Sequence, residues 1–139
     1  MTSKEECEQL LNALLPFALD QLKKHGEFYP FGAVLLKNDE IRLTAADTGE
    51  EHSDSTRIIG QLNKAHKKQA EQGKIKASGI CWDAKVSLEN GVYSDAVIIS
   101  LEHMDHYSVI IGQPYKRGFL NKLQTRSLFA QSGKHDIFA

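Results

Sequence analysis

Residues 75–115 read IKASGICWDAKVSLENGVYSDAVIISLEHMDHYSVIIGQPY, which is the pattern of three consecutive antiparallel strands joined by two short turns. Ile80, Trp82, Ala84 and Val86 alternate along one face of the first strand. Asn90-Gly91 is the strongest hairpin signal in the chain, because both residues tolerate positive φ. Ala96 to Leu101 has almost no polar break, which predicts a central strand covered on both faces. Met104 to His106 makes the next turn. Tyr107, Val109 and Ile111 begin the third strand, and Pro114 predicts that this strand ends there or lies at an edge.

Two helices and a hairpin precede this block. Ser3 to Glu6 has capping-box form. Cys7, Leu10, Leu11, Leu14, Leu15, Ala18, Leu19 and Leu22 then recur at helical spacing. Lys23, Lys24 and His25 suit the negative end of the helix dipole, and Gly26 can stop the helix in the left-handed conformation. Pro16 removes one hydrogen bond inside that helix and predicts a kink or two pieces. Phe28 to Leu36 reads as a strand broken early by Pro30 and Gly32. Asn38-Asp39 is a turn, and Ile41 to Ala46 returns as the hairpin partner. Asp47 to Asp54 reads as a polar loop. Ser53, Asp54 or Ser55 then caps a second helix with Ile58, Ile59, Leu62, Ala65 and Ala70 inward, ended by Gly73. The tail holds one more apolar run, Leu123 to Ala130, and a short end, Ile137-Phe138.

Taken together, these elements predict one α+β domain over residues 1–139 in the order α-β-β-α-β-β-β(-β). The economical packing is an antiparallel sheet of about five or six strands with two helices on one face. At 139 residues the chain has enough length for a real core. An apolar fraction of 41% and a charged fraction of 25% are ordinary for a globular protein. A net charge of −1 with mixed signs points to no nucleic-acid or membrane partner. The polar, acidic N-terminus lacks the form of a secretory signal, and no apolar run has transmembrane length. Cys7 and Cys81 are expected to be free thiols in a reducing cytoplasm.

The candidate sites are few. Glu102-His103-Met104-Asp105-His106 is dense in metal-ligating types, but in a strand Glu102 and His103 point to opposite faces, so no metal site is expected. Cys81 lies opposite Trp82 on its strand, and nothing places His25, His52 or His66 beside it as an activating base. Tyr29 and Phe31, around Pro30, can line a groove or plug the end of the core. Lys116 and Arg117 form a small basic cluster that can meet an acidic partner or face water. There is no dinucleotide or phosphate loop, no nucleophile elbow and no zinc-deaminase signature.

Gly26-Glu27-Phe28-Tyr29-Pro30-Phe31-Gly32-Ala33, Ser94-Asp95-Ala96-Val97 and Leu101-Glu102-His103, followed by Tyr115-Lys116-Arg117, resemble segments of a small bacterial family of single-domain proteins with no established activity. The resemblance implies a bacterial, cytoplasmic, single-domain protein and carries over no catalytic residue. The element order alone is similar to the profilin-like group, which includes the dimeric roadblock modules.

The expectation is therefore a non-enzymatic protein-interaction module without a cofactor, pairing with itself as a homodimer or with another protein. One alternative is an immunity-type protein that neutralises a toxin. Another is a small-molecule-binding protein or enzyme with a pocket beside Tyr29, Phe31 and Trp82. Glu102, His103, Lys116 and Arg117 are the further candidates for contact with a ligand or partner.

Overall fold

A computed structural model describes residues 1–46, 54–118, 120 and 122–138. Its elements are α1 (Ser3–His25), β1 (Phe31–Leu36), β2 (Ile41–Thr44), α2 (Ser55–Glu71), β3 (Ile75–Ser87), β4 (Tyr93–His103), β5 (Tyr107–Arg117), β6 (Leu123–Thr125) and β7 (Phe129–Ser132). The α+β class and the order of elements agree with the sequence. The sheet is antiparallel, in the order β2-β1-β3-β4-β5-β6, and β7 also pairs with β5. Seven strands are found among the described residues rather than about five or six, because the tail supplies two short ones. None of the described helices is long and apolar enough to cross a membrane.

Local signals operate as read, with small shifts. Thr2, not Ser3, caps α1. Its hydroxyl accepts from the Glu5 N–H at 3.1 Å and donates to Glu5 Oε1 at 3.0 Å. The shift by one residue leaves the Glu6 carboxylate free to reach the sheet, where it is used. Gly26 ends α1 at φ 76°. Pro16 lies within one continuous helix rather than between two pieces. The carbonyl that lost its donor belongs to Asn12, and both residues are exposed, so water can serve it. Asp54 caps α2 by accepting from the Arg57 N–H at 2.8 Å. The rest of the loop expected at residues 47–53 lies outside the described residues.

The two helices occupy opposite faces of the sheet, not one. Residues 31, 33 and 35 of β1 share a face with residues 77 and 81 of β3 and residues 97, 99 and 101 of β4. On that face they pack against Leu10, Leu14, Ala18 and Leu22 of α1. Val34, Ser78, Ile80 and Trp82 point the other way, and Ile58 and Leu62 of α2 cover Ile80 and Trp82. The cause is in β1, whose Phe31 to Leu35 are buried without a break. A strand that is apolar on both faces needs a cover on each. Every fully buried leucine of α1 contributes roughly 1.5–3 kcal/mol to that packing. Gly79 sets the closeness of α1, since a Cβ there would stand 2.6 Å from Leu14 Cδ1.

β4 is central and buried on both faces over most of Ala96 to Leu101, as its apolar run required. Pro114 neither ends β5 nor leaves it at the edge. β5 continues to Arg117, with β6 and β7 on its outer side. The Arg126 N–H donates to the Pro114 carbonyl at 3.0 Å, so the backbone of Pro114 faces the gap between β6 and β7. The Gln113 side-chain amide donates to the Arg126 carbonyl and replaces the donor that proline lacks.

The chain end is tied down by one carboxylate. Buried Glu102 accepts from the main-chain N–H groups of Asp136 at 2.9 Å, Ile137 at 3.0 and 3.1 Å, and Phe138 at 2.6 Å. That clamp seats Ile137 against Val34 and Ile75 beside the end of α2. Glu102→Ala is expected to lower stability by about 2–3 kcal/mol, because it strips a buried charge-assisted acceptor from three donors. Urea denaturation measures the loss, and limited proteolysis should show cleavage near residue 135 before the rest of the chain is cut. Unchanged stability with a protected tail would contradict the clamp.

Candidate functional site

β2 is a four-residue strand, Ile41-Arg42-Leu43-Thr44, with β1 on one side and no described strand on the other. Its main-chain polarity follows from the hairpin. The Asn38 carboxamide accepts from the Glu40 N–H at 3.0 Å, Asp39 takes φ 71°, and the Leu36 N–H donates to the Glu40 carbonyl at 2.8 Å. Glu40 therefore faces β1, and so do Arg42 and Thr44 at the strand period of two. Ile41 and Leu43 turn their N–H and C=O groups outward. Their side chains lie on the α1 face, beyond the reach of that helix, and stay 37% and 54% exposed. Phe17 of α1, on the same face, is 42% exposed and packs against Phe31 at 5.0 Å between ring centroids.

On the opposite face, the end of β2 meets α2 through a histidine. Ile58, Leu62 and His66 recur every four residues and form the buried stripe of α2. Ala65, expected inward, is exposed, and His66 takes the inward place. The ring fits because position 32 is glycine. A Cβ there would stand 2.9 Å from His66 Cε1 and 2.7 Å from the Gly79 carbonyl oxygen. His66 Nε2 bonds Thr44 Oγ1 at 2.8 Å, and Nδ1 bonds Ser78 Oγ at 2.7 Å. A neutral imidazole donates at one nitrogen and accepts at the other, and a hydroxyl can serve either role. Burial pushes the ring down to about 4 from 6.5.

Beside this chain of bonds lies a cleft of about 370 Å³ lined by Thr44, Ala45, Ala46, Gln61, Leu62, Ala65, His66 and Gln69.

The residues singled out from sequence scatter. Tyr29 and Phe31 do come together with Phe17 and Phe28 around a shallow cleft of about 280 Å³, with Tyr29 54% exposed. Trp82 does not join them. Phe31 pairs with Cys81, so Trp82 projects from the other face, against α2. Glu102 and His103 diverge across the sheet as the strand period requires, and each is engaged inside the chain. Glu102 holds the tail. His103 Nδ1 accepts from the Asp105 N–H at 3.1 Å, which leaves Nε2 as the donor to Glu6 Oε1 at 2.9 Å. Burial would raise the Glu6 carboxyl, but His103 together with Lys76, 3.0 Å away, holds it below the ordinary value. Asp105 and His106 are exposed in the turn.

Arg117 caps α1 by donating to the Leu22 carbonyl, at the negative end of the helix dipole. Lys116 is exposed beside it. Tyr115 is buried and donates to Asp83 Oδ1 at 2.8 Å. Cys7 and Cys81 are free and buried, and burial pushes the Cys7 thiol up to about 12 and the Cys81 thiol higher still. His66 lies on the face opposite Cys81, and His52 lies outside the described residues. The site that sequence reading passed over is the His66 cleft. Its one signal was the four-residue spacing from Ile58 through Leu62, which puts position 66, not 65, inward. Comparison with family models, with curated proteins and with solved structures finds no match.

His66 makes stability depend on pH in a defined window. Its folded value of about 4 lies below its free value of 6.5, so the unfolded chain binds the proton first. Its contribution is constant above about pH 6.5, falls as the pH drops from there toward 4, and is level below, for a total of about 3 kcal/mol. Urea denaturation at pH 7 and pH 5 in the native chain and in His66→Gln measures it, and the variant should lose most of that slope. Equal slopes would show that His66 titrates normally.

Proposed function

We propose that this protein is a non-enzymatic interaction module whose working surface is the outer edge of β2, and that the partner taken by this edge is a second copy of the chain. The observation that carries the proposal is the coincidence, at Ile41 and Leu43, of outward main-chain donors and acceptors with exposed apolar side chains. An uncovered edge of this kind is a template for strand addition.

A two-fold axis through Leu43 joins the edges best. It places Leu43 against Leu43 of the second copy and Ile41 against Ala45, with their main chains exchanging hydrogen bonds. On the other face it sets Arg42 against Thr44. An axis through Arg42 would oppose two guanidinium groups, and an axis through Ile41 would run the pairing into the Asp39 turn. The opposite border of the sheet is less suited, because β6 and β7 are separated by the break at residues 126–128. The two buried, unbridged thiols fit a reducing cytoplasm as the working compartment.

Size-exclusion chromatography with light scattering, from low to high micromolar concentration, should give a dimer that dissociates on dilution. Leu43→Lys puts a charge on the edge without touching the core and should yield a folded monomer with an unchanged circular-dichroism spectrum. A native chain that is monomeric throughout that range would remove self-pairing from the proposal.

A further inference from the structure

The cleft at the C-terminal end of α1 is walled by the aromatic rings of Phe17, Phe28, Tyr29 and Phe31 and by the carboxylate of Glu27. We infer that this cleft binds an organic cation of the quaternary-ammonium class, with a trimethylammonium head among the rings and Glu27 as its counter-charge. The inference stands apart from the use of the β2 edge.

The chain builds the cleft locally. Gly26 turns out of α1 at φ 76° and lays residues 27–31 beside Phe17, Gln21 and His25, which recur every four residues along one side of the helix. Tyr29 precedes the buried Pro30, which holds the Tyr29 backbone extended and so fixes where its ring starts from. Phe31 is the floor, 8% exposed. Its ring meets Phe17 at 5.0 Å with the planes inclined by 60°, and Phe28 at 5.9 Å with the planes inclined by 76°. Rings inclined in this way make the corner of a box, not a flat stack. Phe17 and Tyr29 remain 42% and 54% exposed, so a solute reaches them with no movement of the chain.

The groups present select the ligand. The face of an aromatic ring is negative, and it attracts a cation within about 6 Å of its centre. A cleft of about 280 Å³ is small enough to keep one head group that close to several rings at once. A quaternary ammonium has no N–H, so apolar walls leave none of its atoms unpaired, whereas a primary ammonium would give up strong hydration for walls that cannot accept its protons. Glu27 adds a full negative charge at the wall, and the Gln21 carboxamide offers a hydrogen bond to a hydroxyl or amide further along the ligand.

The test titrates the full chain at pH 8, by calorimetry, with choline, with a peptide carrying trimethyl-lysine, and with the neutral carbon isostere of choline, in which a tert-butyl group replaces trimethylammonium. At least one of the two cations should bind with a measurable constant, and the tighter of them names the source as a free small molecule or a modified protein. The isostere should bind about tenfold more weakly than choline. Tyr29→Leu and Phe17→Leu, both at exposed positions, keep apolar area and remove a ring. Each should weaken the cation about fivefold with an unchanged circular-dichroism spectrum. Glu27→Gln should weaken the cation and leave the isostere alone. Equal affinity for choline and its isostere would show a plain apolar cleft and overturn the inference. So would the absence of binding by either cation at millimolar concentration, or an affinity that Tyr29→Leu and Phe17→Leu leave unchanged.

Discussion

Everything in this fold is arranged around β1, a strand that must be hidden on both faces. Phe31, Ala33 and Leu35 look one way and Val34 the other, and all are buried. A lone helix can cover one face of a strand. The chain therefore sends α1 to one side and α2 to the other, and β1 sits between them beside β3, whose first half is covered in the same way. The two glycines that allow close approach belong to this pair of strands. Gly79 admits Leu14 from one side and Gly32 admits the His66 ring from the other. A Cβ at position 32 would crowd the Gly79 carbonyl and the His66 ring, and one at position 79 would displace the end of the Leu14 side chain.

The same arrangement leaves β2 half finished. It lies outside β1, past the flank of α1, and no described strand pairs with its outward groups. The hairpin cannot be shortened without loss, because its turn is built on Asn38 and Asp39 and carries Asp39 to Lys76, which in turn holds Glu6. That ion cluster ties the start of α1 to the β1–β2 turn. β2 is thus held in place from one end and from β1, while no described strand pairs with its other border. Rigid support with an uncovered border is the condition under which strand addition costs least, since the receiving edge is already ordered.

Much of this was legible in the chain, and the physics explains which parts. Asn90-Gly91, Gly26 and the turn at Asn38-Asp39 act through the backbone of the residues themselves, so their meaning is local. Ala96 to Leu101 declared its double burial through an unbroken apolar run. The faces of the helices were not legible. Phe31 to Leu35 is also an unbroken run, and a short strand without alternation does not say how many covers it has. Pro114 misled for a different reason. Its lost donor is replaced by the Gln113 side chain, a repair across the gap between β6 and β7 that no pattern in β5 announces. Glu102 was noticed as a metal-ligating type, yet its partners are main-chain N–H groups of residues 136–138, and those leave no mark in sequence.

The buried polar groups follow a rule that gives the one exception its weight. His66 has Thr44 and Ser78, Glu102 has the tail, His103 has Glu6 and Asp105, and Gln113 has Arg126. The span in sequence is 97 residues from His103 to Glu6 and 36 from Glu102 to Phe138, so these bonds close the fold over long loops. A chain that satisfies its buried polar atoms over such separations does so because each failure costs a sizeable part of a small net stability. Against that background Gln69 is anomalous. Leucine or methionine at position 69 would keep the helix and remove the cost. Its oxygen is shut away from solvent with no donor beside it, which makes Gln69→Leu a substitution expected to add stability.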